Sequence, residues 1–226
     1  MISGRASTLS DSVGPEYIML GAGGHARVLQ EILALDGVTL HGYLAPNATP
    51  SRLGDAPYLG NDESLKNLDP ATVLLVNGIG SASAPTLRRQ VFLGAKERGF
   101  RFLSVIDHSA IVRPSAQLGE GVQVLPGAIV GCDATVGNNV ILNSGAVIDH
   151  DTRLGAHSHV SPGAVLAGDV SIGETSHIGL GARVIQRVSI GSDCVVGAGA
   201  VVLRDVPDKS VAVGVPATVR ANVCHR

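Results

Sequence analysis

Aromatic and charged residues are scarce in this chain. Of its 226 residues, 3% are aromatic, none is Trp and 16% are charged, and the formal net charge is −2. Without a basic excess there is no electrostatic case for binding nucleic acid or an anionic membrane. No apolar run is long enough to span a bilayer. The composition favours a core built from small and β-branched side chains.

Cysteine is equally sparse, with Cys132, Cys194 and Cys224 scattered along the chain. Their spacing matches neither a metal site nor an even disulfide framework, so we expect no metal and a reducing, cytoplasmic location. Residues 1–16 are rich in Ser and Gly and contain no apolar segment typical of a secretory signal. We predict that they form a flexible N-terminal arm.

What the chain does contain is a repeat of six residues that runs from Val112 to Val202. The residue two before each aliphatic is small or β-branched, and the residue after it is often Gly, which we expect to relieve a tight bend. A fixed period of six over this length is typical of a β-helix, in which three hexapeptides make one triangular coil. The sixteen aliphatic positions are Val112, Leu118, Val124, Val130, Val136, Leu142, Ile148, Leu154, Val160, Leu166, Ile172, Ile178, Val184, Ile190, Val196 and Val202.

The segment before the repeat alternates strand and helix patterns, which predicts a small parallel α/β sheet. Its expected strands are 17–20, 39–44, 72–77 and 100–106. A first helix is expected after the first strand, with Val28, Leu29, Ile32 and Leu33 at helical spacing and an end near 36–37, and further helices are expected over 63–67 and about 85–98. We therefore divide the chain into the arm, an α/β domain at 17–106, a β-helix at 107–205, and a C-terminal cap and tail at 206–226.

A glycine loop, Gly21-Ala22-Gly23-Gly24-His25-Ala26, joins the first strand to the first helix. Backbone N–H groups and a helix N-terminus at such a turn favour a phosphate. The acidic ribose ligand of a dinucleotide site is missing after the second strand, where Ala45-Pro46-Asn47 follows Leu44. We expect a mononucleotide diphosphate here rather than NAD.

Four motifs occur in order along the chain: the glycine loop, Gly78-Ile79-Gly80, the segment Asn143 to Asp151, and Gly214-Val215-Pro216-Ala217. Together they resemble the sialic acid O-acetyltransferase-like branch of the hexapeptide-repeat acyltransferases, which includes bacterial nucleotide-sugar N-acetyltransferases. The resemblance implies a left-handed β-helix after a Rossmann-like domain. It also implies a homotrimer that transfers acetyl from acetyl-CoA to the 4-amino group of a UDP- or GDP-linked amino-dideoxysugar, in surface-glycan biosynthesis.

The resemblance also implies site residues. His150 would be the general base and Asp151 its partner, although Asp149 is equally close in sequence. The acceptor and its nucleotide would contact Gly23, Gly24, His25, Gly80, Ser81 and Asn143. Acetyl-CoA would contact His159, Gly179, Gly197, Gly214 and Pro216, and no metal is implied.

The chemistry of amide formation requires such a histidine. An amine attacks a thioester only when it is neutral, and a His has a pKa suited to taking its proton. A carboxylate on the other ring nitrogen would fix the tautomer. A sugar O-acetyltransferase of the sialic acid type would use the same base, so it remains an alternative. A non-catalytic β-helix binding protein and an NAD-dependent reductase are weaker alternatives.

Overall fold

The computed structural model describes residues 14–48, 53–81 and 85–221, so most of the predicted N-terminal arm lies outside the described residues. The segment before the repeat forms one sheet of five parallel strands in the order β3-β2-β1-β4-β5, as in doubly wound nucleotide-binding folds. These strands are β1 Glu16–Leu20, β2 Gly42–Leu44, β3 Tyr58–Gly60, β4 Val73–Asn77 and β5 Arg101–Phe102.

Two α-helices and a 3₁₀ helix connect these strands. They are α1 Gly24–Leu35, the 3₁₀ helix Asp62–Asn67 and α2 Pro85–Glu97. Helix α1 buries Ala26, Leu29, Ile32 and Leu33, which recur at the three- and four-residue spacing of one helical face. The predicted elements are largely present, but β3 was not predicted, and the strand expected over 100–106 is divided between β5 and the next domain.

The repeat forms a triangular prism of two-residue parallel strands. In chain order they are β6 Val105–Ile106, β7 Ile111–Val112, β8 Gln117–Leu118, β9 Gln123–Val124, β10 Ile129–Val130, β11 Thr135–Val136, β12 Ile141–Leu142, β13 Val147–Ile148, β14 Arg153–Leu154, β15 His159–Val160, β16 Val165–Leu166, β17 Ser171–Ile172, β18 His177–Ile178, β19 Arg183–Val184, β20 Ser189–Ile190, β21 Val195–Val196 and β22 Val201–Val202. The chain thus enters the prism at Val105, two residues before the predicted start of that domain.

Each strand pairs with the strand eighteen residues further on, which produces three faces. The docking face is the sheet of β6, β9, β12, β15, β18 and β21. The second face is the sheet of β7, β10, β13, β16, β19 and β22. The third face is the sheet of β8, β11, β14, β17 and β20. A hairpin of β23 Ser210–Gly214 and β24 Ala217–Ala221 extends the docking face at its C-terminal end. The fold is the predicted left-handed parallel β-helix behind a Rossmann-like domain.

The sixteen repeated aliphatic side chains occupy the second position of each strand and point into the prism. From Val124 onward they are at most 3% exposed, and the small residues two before them are also buried. Burying one such side chain contributes about 2 kcal/mol, so the stack of coils supplies its own core. The small position is needed because inward-facing atoms crowd near the corners.

The glycines that follow the aliphatics serve a different purpose from the one predicted. None of them has a positive φ; instead, a Cβ at Gly155 would lie 2.5 Å from the backbone nitrogen of Glu174 in the next coil. The positive φ angles belong to residues three before the aliphatics, such as Gly145 and Asp151. The prediction that these glycines relieve a bend is therefore wrong: they allow close contact between coils.

The α/β domain packs on the docking face through α1. Met19, Ala26 and Leu29 share one apolar cluster with Leu125 and Ile141 of the prism. The packing brings the glycine loop of the α/β domain against one face of the prism.

In the part of the chain that the structure describes, no helix is long and apolar enough to cross a membrane.

Candidate active site

His150 and Asp151 lie in the turn between β13 and β14, at the corner that joins the second and third faces. The imidazole Nδ1 is 2.7 Å from Asp151 Oδ2, and both side chains are more than half exposed. Asp151 has a φ of 60°, and this left-handed turn directs its carboxylate back toward the ring of the preceding residue. Asp149 has a different role, because its Oδ1 accepts the backbone N–H of His150 at 2.8 Å.

These carboxylates set the proton affinity of His150. The hydrogen bond that His150 donates to Asp151 raises the pKa of His150 above its ordinary value, and the negative charge of Asp149 raises it further. Because Nδ1–H donates to Asp151, the lone pair of the neutral ring is on Nε2. The ring can therefore accept a proton at Nε2 while the dyad remains bonded.

An open cleft of about 710 Å³ surrounds this dyad, and it is lined by Arg153, Asp169, Gln186 and Arg187 among others. Gly168 lies one coil above His150. A Cβ at Gly168 would be 2.5 Å from Nε2 and Cε1 of the imidazole. The glycine therefore leaves the space that the ring occupies.

Two glycine loops meet at the carboxyl ends of β1 and β4, which are neighbours in the sheet. Gly21 has a φ of 89°, and a Cβ at Gly78 would collide with Met19 Sδ and Ala26 Cβ, at 2.6 and 2.7 Å. Helix α1 begins directly after Gly23, with no side chain capping it. The first N–H groups of the helix therefore have no side-chain partner at the cap, and the phosphate site expected from the sequence stays a prediction.

A second polar cluster lies where the α/β domain meets the docking face. His159 Nδ1 is 2.6 Å from Ser81 Oγ, and Asn143 Nδ2 is 3.2 Å from His159 Nε2. His177 stacks edge-on against His159 with ring centroids 4.8 Å apart, as expected from their spacing of eighteen residues. Burial lowers the pKa of His159 to about 3, and the nearby His177 adds to the effect. This ring is neutral at physiological pH.

The structure therefore groups the residues predicted from the sequence differently from the prediction. His159, expected beside acetyl-CoA, contacts two residues expected beside the acceptor. Gly179 and Gly197 directly follow β18 and β21, and Gly214 is the last residue of β23, the next strand of the same sheet. The three glycines therefore lie near one corner of the prism, with Pro216 beyond them. His150 lies on a different corner. No group of three or more His, Cys, Asp or Glu residues within the described ranges is arranged to hold a metal ion.

Sequence reasoning missed a buried network beside this cluster. Asn77, Arg88, Gln123 and Asn139 are each at most 1% exposed and hydrogen bond to one another between α2 and the prism. His157 is also buried, and its Nδ1 lies 2.9 Å from Asn139 Nδ2. Gln123, Asn139 and His157 occupy outward-facing or turn positions of the repeat, so only the docked α/β domain explains their burial.

Two known families match the chain. The PglD N-terminal domain matches residues 16–93, and the family described as bacterial transferase hexapeptide (six repeats) matches residues 115–150 and 133–168. No curated protein sequence matches the chain.

Several solved structures share the whole architecture. PerB from Caulobacter crescentus, solved with CoA and GDP-perosamine, is 42% identical, with a TM-score of 0.84 over 93% of this chain and 99% of that one. The acetyltransferase domain of PglB from Neisseria gonorrhoeae FA1090, solved with acetyl coenzyme A, is 35% identical, with a TM-score of 0.84 over 91% and 98%. WeeI from Acinetobacter baumannii AYE is 20% identical with a TM-score of 0.81 over 91% and 99%, and supports the fold alone.

Identity at this level over nearly the full length of both chains confirms the resemblance drawn from the four motifs. The chain belongs to the hexapeptide-repeat acetyltransferases, in the branch of nucleotide-sugar N-acetyltransferases that contains PerB and PglB.

Proposed function

We propose that this protein transfers the acetyl group of acetyl-CoA to the 4-amino group of an amino-dideoxysugar linked to UDP or GDP. The observation that carries the proposal is the dyad of His150 and Asp151, bonded at 2.7 Å in an open cleft. The ligands of PerB, CoA and GDP-perosamine, make a GDP-linked sugar the first acceptor to test. Acetyl-CoA and nucleotide sugars are cytoplasmic metabolites, so we place the reaction in the cytoplasm, in the synthesis of a surface glycan.

The dyad suits direct attack. The neutral amine attacks the thioester carbonyl carbon, and a tetrahedral oxyanion forms. Nε2 of His150 takes the proton that the amine loses, while Asp151 stabilises the imidazolium. The C–S bond then breaks, and the CoA thiolate leaves with the electron pair and is protonated. Backbone N–H groups are the expected donors to the oxyanion.

The nucleotide diphosphate is proposed to bind between the two glycine loops. Gly23, Gly24 and Gly80 provide close backbone approach, and the N-terminus of α1 favours its negative charge. Ser81 and Asn143 both contact His159, and His25 is close enough to act electrostatically on that ring, so we expect all three to contact the sugar. Acetyl-CoA is proposed to follow the corner marked by Gly179, Gly197, Gly214 and Pro216, with His159 near its thioester end.

A homotrimer would complete this site. His150 lies at the corner between the second and third faces, whereas Asn143 and the glycine row follow docking-face strands, at the corner before the second face. One prism therefore separates the base from the other groups by the width of a face. A neighbouring subunit packed against the second face would bring its own corner to His150, and three-fold closure would repeat the arrangement.

The test of function is CoA release from acetyl-CoA with a panel of acceptors: GDP- and UDP-linked 4-amino-dideoxysugars, the matching 4-hydroxy sugars, and free sialic acid. Turnover with one nucleotide-linked amino sugar is expected and would identify the nucleotide, UDP or GDP, that the enzyme accepts. Turnover with hydroxyl acceptors alone would replace the proposal with O-acetyl transfer. Absence of turnover across the panel would favour a binding protein.

A further inference from the structure

Arg88 is a buried guanidinium that the proposed chemistry does not use. It projects from α2 toward the prism and is 1% exposed. Its Nη1 donates to the backbone oxygens of Asn77 and Ile79, at 2.9 and 2.6 Å, and its Nη2 donates to Gln123 Oε1 at 3.1 Å. Arg88 therefore holds the second glycine loop and one side chain of the docking face together.

The contacts of Gln123 fix the orientation of its amide group. Its Nε2 donates to the backbone oxygen of Asn77 at 2.8 Å, while its Oε1 accepts from Arg88. Rotating the amide by 180° would place its NH₂ against the guanidinium and its oxygen against a carbonyl oxygen. Two hydrogen bonds would then become two repulsive contacts, so Oε1 is the atom directed at the remaining neighbour.

That neighbour is His25 of the first glycine loop, whose Nε2 is 2.7 Å from Gln123 Oε1. An amide oxygen only accepts, so the ring must carry a proton on Nε2. We propose, on the basis of the proposed function, that Arg88 and Gln123 are positioning residues that hold His25 neutral with its proton on Nε2. The nucleotide-sugar site then offers a lone pair on Nδ1 of His25, an acceptor for a sugar hydroxyl or amine, rather than a second positive charge for the phosphates.

The electrostatic surroundings agree with this arrangement. Burial lowers the pKa of His25 to about 4, the charge of Arg88 lowers it as well, and the hydrogen bond with Gln123 opposes them. The titratable groups that act on this ring within the described residues are Arg88 of α2 and His159 of β15. Since the folded-state pKa is depressed, the ring stays neutral across the physiological range and becomes charged only in acid.

The first test observes the ring nitrogens directly. Long-range ¹H–¹⁵N spectra of the full chain labelled at histidine would be recorded from pH 8 to pH 5, with His25 assigned from the signal lost in His25→Asn. We expect a neutral ring with the proton on Nε2 throughout this range. A ring protonated on Nδ1 in its neutral form, or one that becomes charged near pH 6.5, would overturn the proposal.

The second test alters the positioning residue. Gln123→Glu replaces the amide oxygen with a carboxylate, which should move the titration of His25 toward neutral pH. In the wild type, kcat/KM for the nucleotide sugar should decrease at acidic pH with the slope of a single protonation, that of His150. In Gln123→Glu the slope should correspond to two protonations, those of His150 and His25. Gln117→Glu makes the same change on the exposed third face and should leave both the spectra and the profile unchanged.

A second variant at this position removes the acceptor oxygen of Gln123 without adding a charge, and it keeps the proposal testable if Gln123→Glu fails to fold. Gln123→Met keeps the length of the side chain and should release the tautomer, so that a signal from Nδ1–H appears and kcat/KM falls roughly tenfold, the effect of about one hydrogen bond. An unchanged tautomer in this variant would overturn the role of Gln123. If the wild type turns over no nucleotide sugar, the proposed function fails, and the spectra still decide the tautomer.

Discussion

At the scale of the residue, His150 and the buried histidines show opposite effects of environment on one side chain. His150 is exposed, and its carboxylate neighbours raise its pKa. His25 is partly buried and His159 is buried, both without such neighbours, and desolvation lowers the pKa of each, to about 4 and about 3. A histidine of the first kind is suited to taking up a proton, and those of the second kind to fixed hydrogen bonds.

Replacing the base tests the assignment most directly. In His150→Asn we expect kcat to fall roughly 100- to 10,000-fold, the usual contribution of a general base, with little change in the KM for acetyl-CoA. CoA release under saturating substrates measures this. His108→Asn is the control, because His108 is also exposed and bonded to a carboxylate, Asp36, at 2.6 Å, but lies outside the cleft. Full activity in His150→Asn would rule out this base.

The carboxylate partner should be visible in the pH profile. Asn tolerates the left-handed backbone of position 151, so Asp151→Asn keeps the turn and removes the charge. The raised pKa of His150 would then fall, so the base would stay neutral to lower pH. The decrease of kcat/KM on the acidic side of the pH profile would therefore shift to lower pH. The maximal rate should fall roughly 10- to 100-fold, because the imidazolium loses its counter-charge. A limb that stays in place would show that Asp149 is the partner that matters.

At the scale of the element, the buried positions of the hexapeptide could be predicted from the sequence because each coil repeats the same inward positions. Val130 and Ala128 are buried for the same reason in every coil, so one pattern predicts them all. Outward positions follow no such rule: Gln123 and Gln117 are the same residue one hexapeptide apart, yet the first is buried and the second exposed. The difference arises from the α/β domain that covers only the docking face.

The glycines after the aliphatics show another property that the sequence does not reveal. The repeat shows where these glycines recur, but not that they allow close contact between coils. Gly155→Ala would place a methyl group against the backbone of the next coil and should destabilise the prism by about 3 kcal/mol, the upper range for overpacking. Gly163→Ala is the matched control: it has a φ of 65° but open space around its Cβ, so it should cost about 1 kcal/mol. Urea unfolding followed by circular dichroism measures both, and equal midpoints would contradict the contact explanation.

At the scale of the whole molecule, the three outer faces of the prism differ in character. The docking face is covered by the α/β domain. The third face presents polar residues at the first position of every strand, namely Gln117, Thr135, Arg153, Ser171 and Ser189. The second face presents apolar ones except at Arg183, namely Ile111, Ile129, Val147, Val165 and Val201. An apolar stripe between the corner with His150 and the corner with the glycine row is where a subunit contact is expected.

Charging this stripe should separate the subunits and abolish the site at the same time. Val165→Asp places a carboxylate in the centre of the second face, where burial against a neighbour without a partner would be strongly unfavourable. Thr135→Asp, a side chain of nearly the same shape on the third face, is the control. Light scattering should give a trimer for the wild type and for Thr135→Asp, and a folded monomer for Val165→Asp. The activity of that monomer should be lost although His150 and Asp151 are intact, because the base of one subunit acts on substrates held at the corner of the next. A monomer that retains full turnover would show instead that one chain contains the complete site.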